Sequence, residues 1–235
     1  MKTYRHEQKY LIHEAQYLPL RSALSALMER DSHVGPDGEY MLRSLYFDDM
    51  YRTAYEDKMA GVYARKKYRI RVYDCARDRI NLECKYKQGP YISKESLSLS
   101  VEEYECIRAG ECGFLLGKDS PMAREFYLDW QTRLLRPVAV VDYEREPYVM
   151  NAGTVRITFD KNLRAVAPSE GLFDVKAPSR AVLAPGQLIM EVKFTGYLPE
   201  RVRRIFATRN MTQTSASKFC MCVDRLNGVM PRLSA

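Results

Sequence analysis

Arginine and lysine recur at every second position through six segments of the chain. These read Arg5-x-Glu7-x-Lys9, Lys67-x-Arg69-x-Arg71, Glu83-x-Lys85-x-Lys87, Tyr143-x-Arg145, Arg156-x-Thr158-x-Asp160 and Glu191-x-Lys193. Side chains two residues apart on a strand share a face, so each segment presents its charges to one side. The alternate residues, among them Tyr68, Ile70, Leu82, Cys84, Ile157, Phe159, Met190 and Val192, are largely apolar. Guanidinium forks and ammonium point charges grouped in this way suit phosphate oxygens. The carboxylates spaced two residues from a cation can offset cation repulsion or hold a divalent ion against phosphates. On one strand such a row is an ordinary solvated face. The same basic bias on six strands, with the pair E-x-K three times over, points instead to one shared surface.

Other chemistries are poorly supplied. The only histidines are His6, His13 and His33, so a hydrolase triad or a poly-His metal site has little to draw on. The cysteines at 75, 84, 106, 112, 220 and 222 form no C-x-x-C pair, which removes zinc-ribbon and thioredoxin readings. The segment Gly113-x-x-x-Gly117-Lys118-Asp119 is one residue too short for a phosphate-binding glycine loop, and its aspartate would repel phosphate.

The elements that must position the charged rows are mostly strands. Alternation and turn residues predict strands over 4–12, 40–48, 64–73, 80–87, 91–99, 138–148, 154–160 and 186–194. Helices are expected over 14–30, 101–109, 121–136, 199–207 and 217–226, with Ser100/Glu103 as a capping box and Pro121 in a first turn. Strands that follow one another without crossover helices favour antiparallel pairing. An α+β fold follows, in which a sheet curls with its charges inward and its apolar face wrapped by helices.

The chain has 235 residues and a net charge of +7, with 46% hydrophobic and 29% charged residues. That is ordinary globular composition for one domain over 1–235. No apolar run approaches the roughly 18 residues of a membrane span, and the first residues lack the apolar core of a secretion signal. A cytoplasmic protein is the expectation. Basic strands with interleaved tyrosines could also suit single-stranded nucleic acid. Tyr68 and Tyr86, however, fall on the face opposite the cations, so stacking and phosphate contacts would lie on different sides.

Taken in order, Arg5-x-Glu7-x-Lys9-Tyr10, Ser44-Leu45-Tyr46-Phe47-Asp48, Arg69-x-Arg71, Glu83-x-Lys85, Tyr143-x-Arg145, Glu191-x-Lys193 and Ser217-Lys218-Phe219 resemble the VTC domain. This is the polyphosphate polymerase domain of the vacuolar transporter chaperone complex, within the CYTH-like triphosphate tunnel metalloenzymes. The resemblance implies an eight-stranded antiparallel β tunnel that moves the γ-phosphoryl of ATP onto a growing polyphosphate chain. It implies catalytic roles for Arg69, Arg71, Lys85, Arg145 and Lys218. Substrate binding would fall to Arg5, Lys9, Lys94, Tyr143, Arg156, Lys193 and Ser217. Glu7, Glu83 and Glu191 would hold Mn²⁺ or Mg²⁺. Fungal relatives act beside a membrane channel, so any membrane coupling here would need a separate partner.

Two departures mark out alternatives. Arg5 replaces the first carboxylate of the E-x-E-x-K strand of tunnel triphosphatases, which argues against hydrolysis. Ser215 stands where fungal polymerases carry a lysine, which motivates a non-catalytic module that binds polyphosphate or nucleotide.

Overall fold

The computed structural model describes residues 6–89, 91–207 and 211–231. Its strands are β1 (His6–His13), β2 (Glu29–Arg30), β3 (Tyr40–Asp48), β4 (Ala64–Tyr73), β5 (Ile80–Gln88), β6 (Tyr91–Leu99), β7 (Arg136–Met150), β8 (Val155–Val166), β9 (Ser179–Ala181) and β10 (Gln187–Phe194). Its α-helices are α1 (Glu14–Ser25), α2 (Thr53–Met59), α3 (Val101–Ala109), α4 (Pro121–Arg133), α5 (Glu200–Ala207) and α6 (Lys218–Leu226). One antiparallel sheet runs β1-β10-β8-β7-β3-β4-β5-β6, with β2 added to β7 and β9 to β8.

Among the described residues no backbone ladder joins β1 to β6, so the sheet curls without closing. The ammonium of Lys85 on β5 bridges to β1, 2.9 Å from Glu7 Oε2. An ion pair therefore spans the side where a closed barrel would carry hydrogen bonds. The edge of β1 is also engaged by the segment before α6, where Thr214 N donates to Lys9 O at 2.8 Å.

Two apolar clusters lie on the convex face. One packs Tyr68, Ile70, Leu82 and Cys84 under α3 and α4 through Tyr104, Ile107 and Phe126. The other sets Ile157, Phe159, Met190 and Val192 beneath α1 and α5. A third cluster sits on the concave face. There Leu42, Tyr46, Val141, Tyr143 and Ile189 pack against Phe219, Met221 and Val223 of α6. The expectation that every helix wraps the outside therefore fails for α6. This helix, capped by Ser217 Oγ on Cys220 N, fills part of the interior. Only the remainder of the concave face is charged.

Local chemistry explains the other differences. The helix expected over 14–30 stops at Ser25, because Glu29 and Arg30 pair with Val149 and Tyr148 of β7. The helix expected to reach residue 136 ends at Arg133, where Leu134 turns left-handed at φ 54°. Pro137 then sits inside β7, at a register shift opposite Phe47; a residue without N–H is tolerated at such a bulge. The helix α2 has no expected counterpart. Its first N–H groups are satisfied from Asp48 and Asp49, whose carboxylates accept from Thr53, Ala54 and Tyr55.

Phe126 anchors α4, with its ring edge-on to Phe47 and Tyr68 at 5.2 Å each. Phe126→Ala is expected to cost about 3–5 kcal/mol by cavity formation, read from denaturant unfolding. Leu128→Ala, on the solvent side of the same helix at 57% exposure, is expected to stay within about 0.5 kcal/mol.

Candidate functional site

Register brings the charged rows together. Across the sheet Tyr46 lies opposite Arg69, and Arg69 opposite Glu83. One step along, Lys67 faces Lys85, and Lys85 faces Lys94. On the other wall Lys9 faces Glu191, and Arg145 faces Asp160. Opposite charges directly across an antiparallel pair stabilise it and like charges destabilise it. The lysine row is therefore a local cost built into the sheet.

The rows converge on a cavity of about 80 Å³, lined by the eight cations Lys9, Lys67, Arg69, Arg71, Lys85, Arg145, Lys193 and Lys218 and by two carboxylates, Glu7 and Glu191. Tyr46, Tyr143 and Phe219 complete it. It continues into a mouth of about 220 Å³, where Lys58, Arg65 and Lys87 join Lys67 and Lys85.

Four carboxylates hold this charge in place. Asp160 is fully buried and binds Arg145 in bidentate fashion, at 2.6 and 2.7 Å, with Lys218 at 2.5 Å. Glu191 takes Lys218 at 2.6 Å and Lys193 at 2.8 Å. Glu83 takes Arg69 at 2.6 Å and Lys94 at 2.6 Å. Glu7 takes Lys85 at 2.9 Å and Lys9 at 3.4 Å. Burial works against ionising each acid, and the cations win. Asp160 is lowered by Arg145 and Lys218, Glu191 lies well below the carboxylate range, and Glu83 falls to about 2 under Arg69, Arg71 and Lys94.

The cations are less well matched. Burial pushes Lys85 down to about 7, and Lys9, Lys193 and Lys67 add repulsion. Glu7 pulls the other way, but it is shared among Lys85, Lys9 and Lys193. Lys67 has no carboxylate within 4 Å among the described residues. Its ammonium lies 5.5 Å from the Tyr46 ring centre and 5.8 Å from that of Phe219, and burial lowers it. Tyr46 is the residue that sequence reasoning missed. Its hydroxyl accepts from Arg69 at 2.9 Å, and its ring stacks on Phe219 at 5.1 Å. Burial raises its pKa, but Arg69, Lys67 and Arg71 outweigh that and bring it to about 7. Its position in phase with Ser44 on β3 was the available signal.

Most residues singled out from the sequence fall in this site, but some do not line the cavity. Arg156 turns to Asp31 at 2.8 Å and Tyr40 at 2.9 Å. Lys94 is half exposed and reaches Glu83 at 2.6 Å. Ser217 lines the mouth while capping α6. Arg5 lies outside the described residues.

The three expected metal ligands do not converge. Among the described residues no three His, Cys, Asp or Glu side chains gather where they could hold an ion. Glu7 and Glu191 flank the ammonium of Lys9, at 3.4 and 3.7 Å, and Glu83 is engaged by Arg69 and Lys94. A divalent ion takes six or more oxygens. The carboxylates here are occupied by nitrogen cations, so the residues do not fit a resident metal.

A curled antiparallel sheet with an inward cluster of cations defines the CYTH-like tunnel class. A solved structure of that fold, an adenylyl cyclase candidate from Hippeastrum described as having a dominant triphosphatase activity, is 14% identical. It superposes with a TM-score of 0.54, over 97% of each chain. An adenylate cyclase candidate from Bacillus halodurans gives 15% identity and a TM-score of 0.49 over 88% of each chain. No curated protein matches the sequence. Within the class the chain belongs to the VTC domain family, whose profile matches residues 4–227.

Asp160→Asn leaves Arg145 and Lys218 buried with less compensation. A loss of about 3–5 kcal/mol in unfolding free energy is expected, partly recovered by added tripolyphosphate. The pH response has two signs. Between about 7 and the ordinary lysine value of 10.5, the unfolded chain keeps a proton that folded Lys85 has lost. The contribution of Lys85 to stability therefore rises with pH in that window, and Tyr46 acts in the same sense between about 7 and 10. Anion binding runs the other way, because each lost proton removes positive charge from the cavity. Tripolyphosphate affinity, measured calorimetrically, is expected to fall from about pH 6.5 to 8.5, by up to about tenfold per pH unit for each titrating group. Lys85→Arg should flatten that slope.

Proposed function

We propose that the tunnel binds a nucleoside triphosphate through its phosphates and transfers the γ-phosphoryl group to the end of a polyphosphate chain. The supporting observation is the cavity lined by eight cations and two carboxylates. Few ligands other than a condensed phosphate offer that density of negative charge.

Phosphoryl transfer depends on positioning and electrostatics more than on covalent or base catalysis. Arg145 is fixed by Asp160 and Arg69 by Glu83 and Tyr46, so their forks are aimed before substrate arrives. Arg71 donates to Ser44 at 3.1 Å and is otherwise the less committed guanidinium. These three spread the charge of the γ-phosphoryl group. A terminal oxygen of the acceptor chain attacks the γ-phosphorus in line. The bond to the β–γ bridging oxygen breaks, and ADP leaves with the electron pair. The acceptor phosphate is already largely ionised, so the reaction requires no histidine base. Lys85, which burial holds near 7, takes up a proton as the anion arrives. The metal dependence implied by the family would enter with the nucleotide, as its Mn²⁺ or Mg²⁺ complex.

A binding module without turnover was motivated by Ser215. In the fold Lys58 of α2 donates to Ser215 Oγ at 3.4 Å. A cation therefore stands beside that position, supplied by another element, and this favours transfer over mere binding.

Incubation with ATP and Mn²⁺, read by a gel for long phosphate chains and by free phosphate release, separates the readings. Chains without release are expected. Release without chains would make the protein a triphosphatase, and neither product alongside tight binding would make it a binding module. Arg71→Ala is expected to reduce synthesis by at least about a hundredfold with little change in thermal midpoint, since it orphans no buried carboxylate.

A further inference from the structure

Two buried side-chain atoms lack a hydrogen-bond partner among the described residues, Arg43 Nε and Thr158 Oγ1. Arg43 is otherwise well held, by Asp142 and by the carbonyl of Asp174. Thr158 has only this one polar side-chain atom, and the residue is wholly buried. A hydroxyl taken out of water without a partner lowers stability, so its place in the fold calls for a reason.

Thr158 stands in the charged part of the concave sheet. On β8 it is in phase with Arg156 and Asp160. Across the ladders it pairs with Glu191 of β10 and with Pro147 of β7. Most of these neighbours are committed elsewhere or have nothing to offer. Pro147 carries no polar side chain. Asp160 holds Arg145 and Lys218, and Arg156 is turned to Asp31 and Tyr40. Glu191 is the acceptor that remains. Side chains directly opposite on an antiparallel pair have Cβ atoms roughly 4.5–5.5 Å apart, so a small rotation brings this hydroxyl and carboxylate into hydrogen-bond range.

In the free site Glu191 is fully engaged. Its Oε1 takes Lys218 at 2.6 Å, and its Oε2 takes Lys193 at 2.8 Å with Arg145 further off at 3.5 Å. Lys193 is the partner best able to leave, because its side chain is 25% exposed against 8% for Lys218 and Arg145. Lys193 lines the lumen and Thr158 does not, so an entering phosphate meets the ammonium and not the hydroxyl.

We propose that Thr158 is a positioning residue that donates to Glu191 when a condensed phosphate draws Lys193 away. The hydroxyl keeps the carboxylate, and with it Lys218 and Arg145, in place while the lumen opens. This role rests on the lumen binding phosphate and adds a group that acts only in the loaded state.

The test pairs two measurements on Thr158→Val, which keeps the shape and removes the hydroxyl: the thermal midpoint of the free protein, and tripolyphosphate affinity by calorimetry. The free protein should melt at the same temperature or higher, because no bond is lost. Tripolyphosphate affinity should fall by about tenfold, the scale of a hydrogen bond to a charged group. Thr158→Ser, which keeps the hydroxyl, should recover most of that affinity. In a Lys193→Met background the bond to Glu191 forms without ligand, so Thr158→Val should there lower the midpoint and change affinity little. A merely structural hydroxyl would lower the midpoint in the wild-type background and leave affinity alone. A lower midpoint for Thr158→Val, an affinity that does not fall, or no coupling to Lys193 overturns this role and leaves the tunnel standing. Wild-type protein that binds no tripolyphosphate overturns the tunnel reading and this role with it.

Discussion

The structure is organised around an excess of positive charge held out of water. Two like charges about 4 Å apart cost roughly 4 kcal/mol at an effective dielectric near 20, and the row Lys67, Lys85, Lys94 places three lysines side by side. A sheet carrying that row folds only if the rest of the chain overcompensates. The convex clusters under α1, α3, α4 and α5 supply apolar burial. The helix α6 supplies more from inside, covering the part of the concave face that carries no charge. Asp160, Glu191, Glu83 and Glu7 are spaced so that no lumen arginine lacks a carboxylate or hydroxyl partner.

Arginines and lysines divide the work. A guanidinium keeps its charge at any accessible pH and fits a carboxylate with two parallel bonds, so Arg145 and Arg69 are fixed points whose geometry precedes the ligand. An ammonium on a four-carbon stem moves and titrates. Lys85 sits where burial and neighbouring cations bring it down to about 7, and burial lowers Lys67 as well. The free site thereby limits its own repulsion and can regain charge when phosphate oxygens arrive. Tyr46 belongs to the same system, because Arg69, Lys67 and Arg71 outweigh its burial and bring its phenol down to about 7.

Much of this was legible in the sequence because strands have period two. The alternation in β1, β4, β5 and β10 told apart cations and core, and Glu7, Lys9, Arg69, Arg71, Lys85, Arg145, Glu191, Lys193 and Lys218 line or brace one cavity. What the pattern could not carry was anything set by the third dimension. Tyr46 reads as one more apolar strand residue until Arg69 is seen against its hydroxyl. The helix α2 hides because its caps are two acids at a strand end. The amphipathic α6 reads as a cover helix, since periodicity gives a buried face but not the side of the sheet that buries it. Arg156 keeps its strand phase yet is diverted by Asp31, a loop residue that no strand pattern reveals.

The size of the lumen sharpens how it must work. About 80 Å³ is well under the roughly 300–1,000 Å³ of a typical ligand pocket, so the charged side chains have drawn together around their carboxylates. A triphosphate gains room only if some of these pairs open. Arg145 and Arg69 are the poor candidates, being bidentate or hydrogen-bonded on more than one side. The lysines are the good ones: Lys85 holds Glu7 and Lys193 holds Glu191 through compact ammonium groups on flexible stems. Exchange of a carboxylate for a phosphate oxygen costs each ammonium little. It widens the lumen toward the mouth and leaves the arginine frame in place, so the ligand enters a site whose rigid parts set geometry and whose soft parts set capacity.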